Sequence, residues 1–340
     1  LTASATALAT AGGVGAIAIL GLDGIIWAVL AGPIAGVAVA SIFVARLGLP
    51  RAPRPAFSVL IAHQRAIFGV GLGLMLSALA ALVTPLVLRI WLIQSQGLDA
   101  AGLFQAALAI SMQVSGLILA AAATEYYPRL SATISDKNAV RHQANDQAML
   151  YLSAGGPLIV ALAALAPWVL ELLYTSAFRD AVEVLRWLLL GMVARLLVVP
   201  AEMILMASAS ARRILAAQLL HQISVLAAAF WALDPFGGVG FAVAIAAGQV
   251  VHLILVSLMA ARAAGFAWRR RVLGFAAAFA VLAACSQALP GLAGDWATIG
   301  TCCLVAGGAG LAAAGLARLG FVPRPTMLVQ RRIRFARSQR

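Results

Sequence analysis

Charged residues are scarce in this chain. Only 10% of its 340 residues are charged, 63% are hydrophobic, and the mean hydropathy is +1.00. A soluble globular protein typically has about a quarter of its residues charged. In water, this composition would leave large apolar patches exposed. The composition therefore excludes a soluble globular protein and predicts a chain that spans a membrane.

Cysteine is also rare, and the motifs of several enzyme classes are absent. The three cysteines, Cys285, Cys302 and Cys303, lie in apolar stretches without CxxC spacing or a nearby histidine, so we expect buried side chains and no metal site. The chain contains no GxxxxGK[ST], HExxH or GxSxG motif. Its hydrophilic loops also lack room for a catalytic domain. We therefore predict that the protein is not an enzyme and binds no cofactor or metal.

Long apolar stretches recur along the whole chain. A membrane-spanning helix needs about 20 apolar residues, and a lone strand in lipid would leave its backbone unpaired. The sequence thus predicts an all-α polytopic membrane protein with about ten transmembrane helices. The predicted spans are residues 2–21, 24–45, 66–90, 101–124, 148–173, 183–208, 214–233, 238–261, 272–289 and 297–317.

Basic residues are concentrated in every second gap between these spans. Every Lys and Arg lies in such a gap except Arg89, Arg179, Arg186 and Arg195. The intervening gaps are short, and each holds an aspartate. The positive-inside rule then places the basic gaps, and both termini, in the cytoplasm. We expect the basic residues to contact anionic membrane lipids and not nucleic acid.

Two of the basic gaps are long enough for structure of their own. Residues 46–65 are rich in Pro and Arg and then become amphipathic, and residues 125–147 are polar with helical character. Such patterns are typical of segments that lie on the membrane surface. We predict that both segments lie on the cytoplasmic leaflet.

Arg89, Arg195 and Glu202 are candidate site residues at membrane depth, where charges are costly and tend to face a water-filled cavity or a partner. Arg89 either reaches the outer headgroups or faces a cavity that binds anions. Arg195 and Glu202 are two helical turns apart on one helix face, at about 10 Å of axial separation. They are not expected to pair directly, and either line a cavity or bond to a neighbouring helix.

Several amides and two histidines also lie within the spans. Gln105, Gln113 and Gln249 either bond across helices or form the hydrogen-bonding wall of a sugar path. His221 and His252 are consistent with packing and also with a proton relay.

Residues 97–131 carry motifs of a known transporter group. They comprise Gly97 followed by Gly102-Leu103-Phe104-Gln105-Ala106, and the exit Pro128-Arg129-Leu130-Ser131. Residues 172–191 (LLYTSAFRDAVEVLRWLLLG) and an arginine near the outer end of a span, Arg89, fit the same pattern. Over about residues 60–270 the chain resembles the polysaccharide flippases, the O-antigen and lipid-linked oligosaccharide translocases of the multidrug/oligosaccharidyl-lipid/polysaccharide exporter superfamily.

The resemblance implies two helical lobes around a cationic central cavity in the bacterial inner membrane. It implies that a polyprenyl-pyrophosphate-linked oligosaccharide is flipped by alternating access for export of surface polysaccharide such as the O-antigen of lipopolysaccharide. Arg89 and Arg195 would attract the pyrophosphate, and Gln105, Gln113 and Gln249 would line the glycan path. The implied partners are this lipid-linked glycan and other polysaccharide-assembly membrane proteins.

The resemblance also divides the chain. Residues 1–46 would be the last two helices of the N-terminal lobe, 47–65 a cytoplasmic interfacial linker, 66–262 a six-helix C-terminal lobe, 263–318 two extra helices and 319–340 a basic tail. Four helices would then be absent upstream. The alternatives are a drug or cation antiporter that uses Glu202, a membrane-embedded glycan transferase or polymerase, and a truncated scaffold without transport activity.

Overall fold

The computed structural model describes residues 2–46, 57–208, 211–291 and 295–319. Over these residues the chain is helical and contains no β-strand. The helices are α1 (Thr2–Leu20), α2 (Gly24–Arg46), α3 (Phe57–Ala132), α4 (Lys137–Ala164), α5 (Ala166–Leu173), α6 (Val182–Ala207), α7 (Ala211–Ala264), α8 (Arg270–Cys285) and α9 (Asp295–Arg318). Short 3-10 turns cover Gly21–Asp23, Ser176–Ala181 and Ser286–Gly291.

Two of these helices are interrupted by a glycine in a left-handed backbone conformation. Gly97 in α3 has φ of 90°, and Gly237 in α7 has φ of 53°. A side chain at either position would be strained, whereas glycine adopts positive φ readily. Each helix therefore consists of two arms, 57–96 and 98–132 in α3 and 211–236 and 238–264 in α7. Both breaks fall within or next to gaps predicted between spans.

Eight helical stretches within the described residues are long and apolar enough to cross a membrane. One of them, Gly71–Gly116, has 46 residues and contains the break at Gly97, so its two arms can each cross. Ala7–Leu20 is a further, shorter apolar helix. These stretches confirm the predicted all-α polytopic class, while the cytoplasmic position of the termini stays a prediction.

Two compact units make up the fold. The first, Leu1–His63, contains α1 and α2, which approach closely where Gly13 faces Ala28. A Cβ at Gly13 would lie 3.3 Å from the Ala28 Cβ, so a small residue permits this packing.

The second unit, Gln64–Arg340, contains a large apolar core built mainly by α4, α6, the arms of α7, and α8. Large side chains that are fully buried in it include Tyr151, Leu185, Phe241 and Phe279. The predicted domain boundaries stay predictions, and residues 47–56 and 320–340 lie outside the described residues.

The segment 125–147 was predicted to have structure of its own and to lie on the cytoplasmic leaflet, and that position stays a prediction. Its residues extend α3 and α4 around a turn at 133–136. Asp136 caps α4 by accepting hydrogen bonds from the backbone nitrogens of Asn138 and Ala139, at 2.9 and 3.1 Å. Because this cap satisfies free backbone donors, the helix starts well before the apolar stretch.

Two other predictions differ from the structure. The predicted span 148–173 is broken at Leu165, between α4 and α5, shortly before Pro167. Proline has no backbone donor, so it favours the end of one helix and the first turn of another. All three cysteines are exposed and not buried. In a membrane protein an apolar stretch does not indicate burial inside the fold, because lipid is an equally apolar neighbour.

Candidate functional site

A cavity with both apolar and polar walls lies among the helices of the second unit. It has a volume of about 380 Å³ and is bordered by both arms of α3, by α6 and by both arms of α7. The α3 side contributes apolar groups such as Leu88, Leu108 and Met112. The polar residues of the lining are Thr84, Ser111, Ser115, Arg195, Gln218, His221, Gln222 and Gln249. The cavity therefore combines a cation, amides and hydroxyls.

Arg195 supplies the positive charge of this cavity. It lies midway along α6, and its side chain is 28% exposed, so the guanidinium is accessible from the cavity. Leu196, Leu197 and Val198 follow it and are buried in the unit. Successive helical residues point about 100° apart, so α6 is packed on most of its circumference here, and Arg195 is on the part that lines the cavity.

Arg195 and Glu202 form an ion pair, contrary to the sequence prediction. The distance between Arg195 Nη1 and Glu202 Oε2 is 3.5 Å. Both side chains are long and flexible, and their charged ends can extend well away from their own backbone positions. Two long side chains thereby close the axial gap that had excluded a direct pair.

Glu202 also contacts a histidine of α7. Its Oε1 lies 3.4 Å from Nε2 of His252, whose side chain is 1% exposed. The His252 ring stacks on His221, with centroids 4.5 Å apart and planes 12° from parallel. His221 Nδ1 is 2.9 Å from the Gly248 carbonyl oxygen, which can only accept, so Nδ1 carries the proton.

The two arms of α7 bring these histidines together. His221 and His252 each lie about 15 residues from Gly237, so a sharp turn there places them at the same level. Gly248 permits the close approach, because a Cβ there would meet His221 Cε1 at 3.3 Å and the Val225 side chain at a shorter distance.

Of the other predicted site residues, one lines the cavity and three do not. Gln249 lines the cavity, and its buried Oε1 has no hydrogen-bond partner among the described residues. Gln105 is half-buried, while Gln113 and Arg89 are exposed. None of these three belongs to the cavity lining. A role for them in binding stays a prediction.

Gln218 was missed by the sequence analysis. It lies on the same wall as His221, Gln222 and Val225. These positions follow the i, i+3, i+4, i+7 pattern of one helix face. That pattern was present in the sequence and could have identified the wall of the cavity.

The arrangement suits a ligand that is both anionic and rich in hydroxyl groups. The guanidinium of Arg195 can donate two parallel hydrogen bonds to phosphate oxygens. The amides of Gln218, Gln222 and Gln249 can donate to and accept from hydroxyls. In such a low-dielectric site each of these bonds is stronger than at a solvated surface.

Comparisons with known proteins give a family and a fold. Residues 2–183 match the model of a family described as polysaccharide biosynthesis protein. No curated protein sequence matches the chain. Among solved structures, the lipid II flippase MurJ in its inward closed conformation is similar, with a TM-score of 0.60 and 13% sequence identity. The match covers 93% of this chain and 67% of that chain, and it confirms the predicted exporter fold.

Proposed function

The chain belongs to the polysaccharide biosynthesis protein family, and on this premise we propose that it flips a polyprenyl-pyrophosphate-linked oligosaccharide across the bacterial inner membrane. Membership agrees with the motifs that suggested polysaccharide flippases. The observation that carries the proposal is the position of Arg195, among amide and hydroxyl side chains, on the wall of a cavity between helices that are long and apolar enough to cross a membrane.

Different residues of the cavity lining bind different parts of the ligand. Arg195 attracts the pyrophosphate, whose two phosphates are negatively charged at neutral pH. Gln218, Gln222 and Gln249 bond the sugar hydroxyls next to it. The prenyl chain remains in lipid, where it is already out of water, so its entry into the cavity would add no hydrophobic stabilisation.

Transport then requires that the cavity open in turn to each side of the membrane. The glycan would move with the cavity while the two leaflets stay sealed from one another. The basic loops hold the protein against anionic lipid headgroups on the cytoplasmic side. Other membrane proteins of polysaccharide assembly would supply and receive the lipid-linked glycan.

The alternative of a cation antiporter requires a carboxylate that is available to a cation. Glu202 is instead shared between Arg195 and His252, at 3.5 and 3.4 Å. A drug cation would also meet the positive charge of Arg195 in the same cavity. The geometry therefore favours an anionic substrate.

The test is replacement of Arg195 in the full-length protein. Arg195→Ala should reduce surface glycan, measured by blotting in a strain that depends on this protein, by at least about tenfold, because one charge-assisted hydrogen bond contributes about 1.5–3 kcal/mol. Arg195→Lys should retain part of the activity, since it keeps the charge and loses the two-pronged geometry. Immunoblots check that protein levels match.

A matched control is Arg179→Ala, which also removes an arginine paired with a glutamate but lies in an exposed turn and not in the cavity lining. It should leave surface glycan unchanged. The double variant R195A/E202Q separates lost attraction from the repulsion by an unpaired Glu202, and should recover part of the loss. Normal glycan with Arg195→Ala at normal protein levels would refute the role of Arg195.

A further inference from the structure

We propose that anion binding at Arg195 is coupled to the uptake of one proton by the cluster formed by Glu202, His252 and His221. The proposal rests on the proposed function, which makes the pyrophosphate diester of a lipid-linked glycan the anion. It adds a proton-binding site in which His221 lines the cavity, while Glu202 and His252 are not part of the lining.

The geometry makes Glu202 the point where the anion and the proton meet. One carboxylate oxygen of Glu202 lies 3.5 Å from Arg195 Nη1, and the other lies 3.4 Å from His252 Nε2. Neither ring nitrogen of His252 is hydrogen-bonded to a described residue. The carboxylate is thus shared between a permanent cation, which lines the cavity, and a buried imidazole, which can become one.

An incoming anion changes the charge balance of this cluster. Without it, Glu202 neutralises Arg195, and a proton on His252 would add a second positive charge near the guanidinium. When a phosphate oxygen replaces Glu202 as the partner of Arg195, Glu202 has an uncompensated negative charge in a low-dielectric site. Protonation of His252 then restores an ion pair, so the anion and the proton favour each other.

The surrounding groups limit the uptake to one proton. His221 stacks on His252 with centroids 4.5 Å apart, so two charged rings would repel each other. His221 also donates Nδ1–H to the Gly248 carbonyl, which fixes the tautomer of its neutral ring. Arg195 stays charged throughout. Tyr126 of α3, whose hydroxyl donates to the Pro200 carbonyl at 3.3 Å, does not ionise near neutral pH.

Thermodynamic linkage gives the sign of the effect. Because the anion-bound state holds more protons than the free state, affinity for the anion must rise as pH falls. Where one proton is taken up, the dissociation constant changes by up to about tenfold for each pH unit. The dissociation constant stops changing with pH where the cluster holds the same number of protons in the free and the anion-bound protein.

The experiment is calorimetric titration of the purified full-length chain in lipid nanodiscs. The probe is P1-citronellyl P2-glucosyl diphosphate, a water-soluble short-chain analogue. Each of its phosphates has one ester bond, one anhydride bond and one strongly acidic oxygen, so its charge is constant between about pH 6 and about pH 8, where histidine titrates. Titrations in two buffers with different ionisation enthalpies count the protons taken up for each bound probe. The expected count rises toward one within this range.

Three variants assign the proton. His252→Gln and Glu202→Gln should both bind the probe without proton uptake, and Glu202→Gln should bind more tightly because no carboxylate competes for Arg195. The matched control is His142→Gln, an exposed histidine beside Arg269, which should keep the parent's proton count. If a variant with a buried substitution does not fold, the number of protons taken up for each bound probe by the unmodified protein still tests the coupling.

The outcomes separate this proposal from the function on which it rests. Binding of the probe with no proton uptake at any pH overturns the coupling and leaves the flippase proposal in place. Uptake that persists in both His252→Gln and Glu202→Gln overturns the assignment to this cluster. No binding of the probe at any pH overturns the proposed function and the coupling together.

Discussion

Gly191 of α6 lies directly against the second arm of α7, and Gly191→Ala should destabilise the bundle there. A Cβ at this position would be 2.8 Å from the Ala246 Cα and 3.1 Å from the Ala246 Cβ, whereas ordinary van der Waals contact begins at 3.4 Å. The obstructing atoms are backbone and a Cβ, so no side chain can rotate away. The helices must therefore move apart by roughly half an ångström or more.

The cost of this displacement follows from overpacking. Inserting one methyl group into a well-packed core typically costs about 1–3 kcal/mol. With an unfolding entropy of about 2.1 cal/mol/K per residue, that corresponds to a fall in Tm of roughly 1–4 °C for a chain of 340 residues. The assay is thermal unfolding of the purified protein in detergent. The same displacement also moves Arg195, one turn further along α6, away from the α7 histidines, so proton uptake on anion binding should weaken.

Gly274→Ala is the matched control for this substitution. Gly274 lies within α8, and a Cβ there would meet no atom within 4 Å. Alanine should raise helix stability there by up to about 1 kcal/mol. A Gly191→Ala protein that melts at the parent temperature would show that the α6–α7 contact is not as close as described, and would refute the packing argument.

Two further substitutions contrast a buried polar group with an exposed ion pair. Asn145→Ala should lower the free energy of unfolding by about 1–3 kcal/mol, measured by denaturant titration. The buried amide donates to the Ala267 carbonyl at 3.1 Å and accepts from the Arg269 backbone nitrogen at 2.7 Å, so its loss leaves the α7–α8 connection unpaired; unchanged unfolding would contradict this. Glu171→Ala should cost less than about 1 kcal/mol by the same measurement, although its contact with Arg179 is 2.6 Å, because both side chains are solvent-exposed; a larger loss would show that the pair is structural.

The helical class and the order of spans could be predicted from composition because lipid accepts only a chain with internally paired backbone. Helix ends were harder to predict. The helix breaks are at Gly97 and Gly237. The lengths of the apolar stretches predict the positions of these breaks only to within a few residues. Asp136 starts α4 in a polar segment that hydropathy assigned to the surface.

The candidate site was only partly predictable, for a physical reason. Hydropathy identifies polar side chains at membrane depth, and it found Arg195, Glu202 and Gln249. It does not show toward which neighbour each helix face turns, because lipid and protein are equally apolar surroundings. Gln113 and Arg89 are therefore exposed although their sequence context resembles that of Gln249.

The ion pair between Arg195 and Glu202 explains how a charged side chain can remain at membrane depth in the absence of substrate. An unpaired guanidinium there would be costly, and a nearby carboxylate reduces that cost. The same carboxylate must be displaced before a phosphate can bind, so tight pairing would exclude the substrate. Pairing at 3.5 Å, with the charge shared with His252, is looser than an optimal charge-assisted hydrogen bond. A protonated His252 would hold the displaced carboxylate, which gives the histidine pair a role that packing alone does not require.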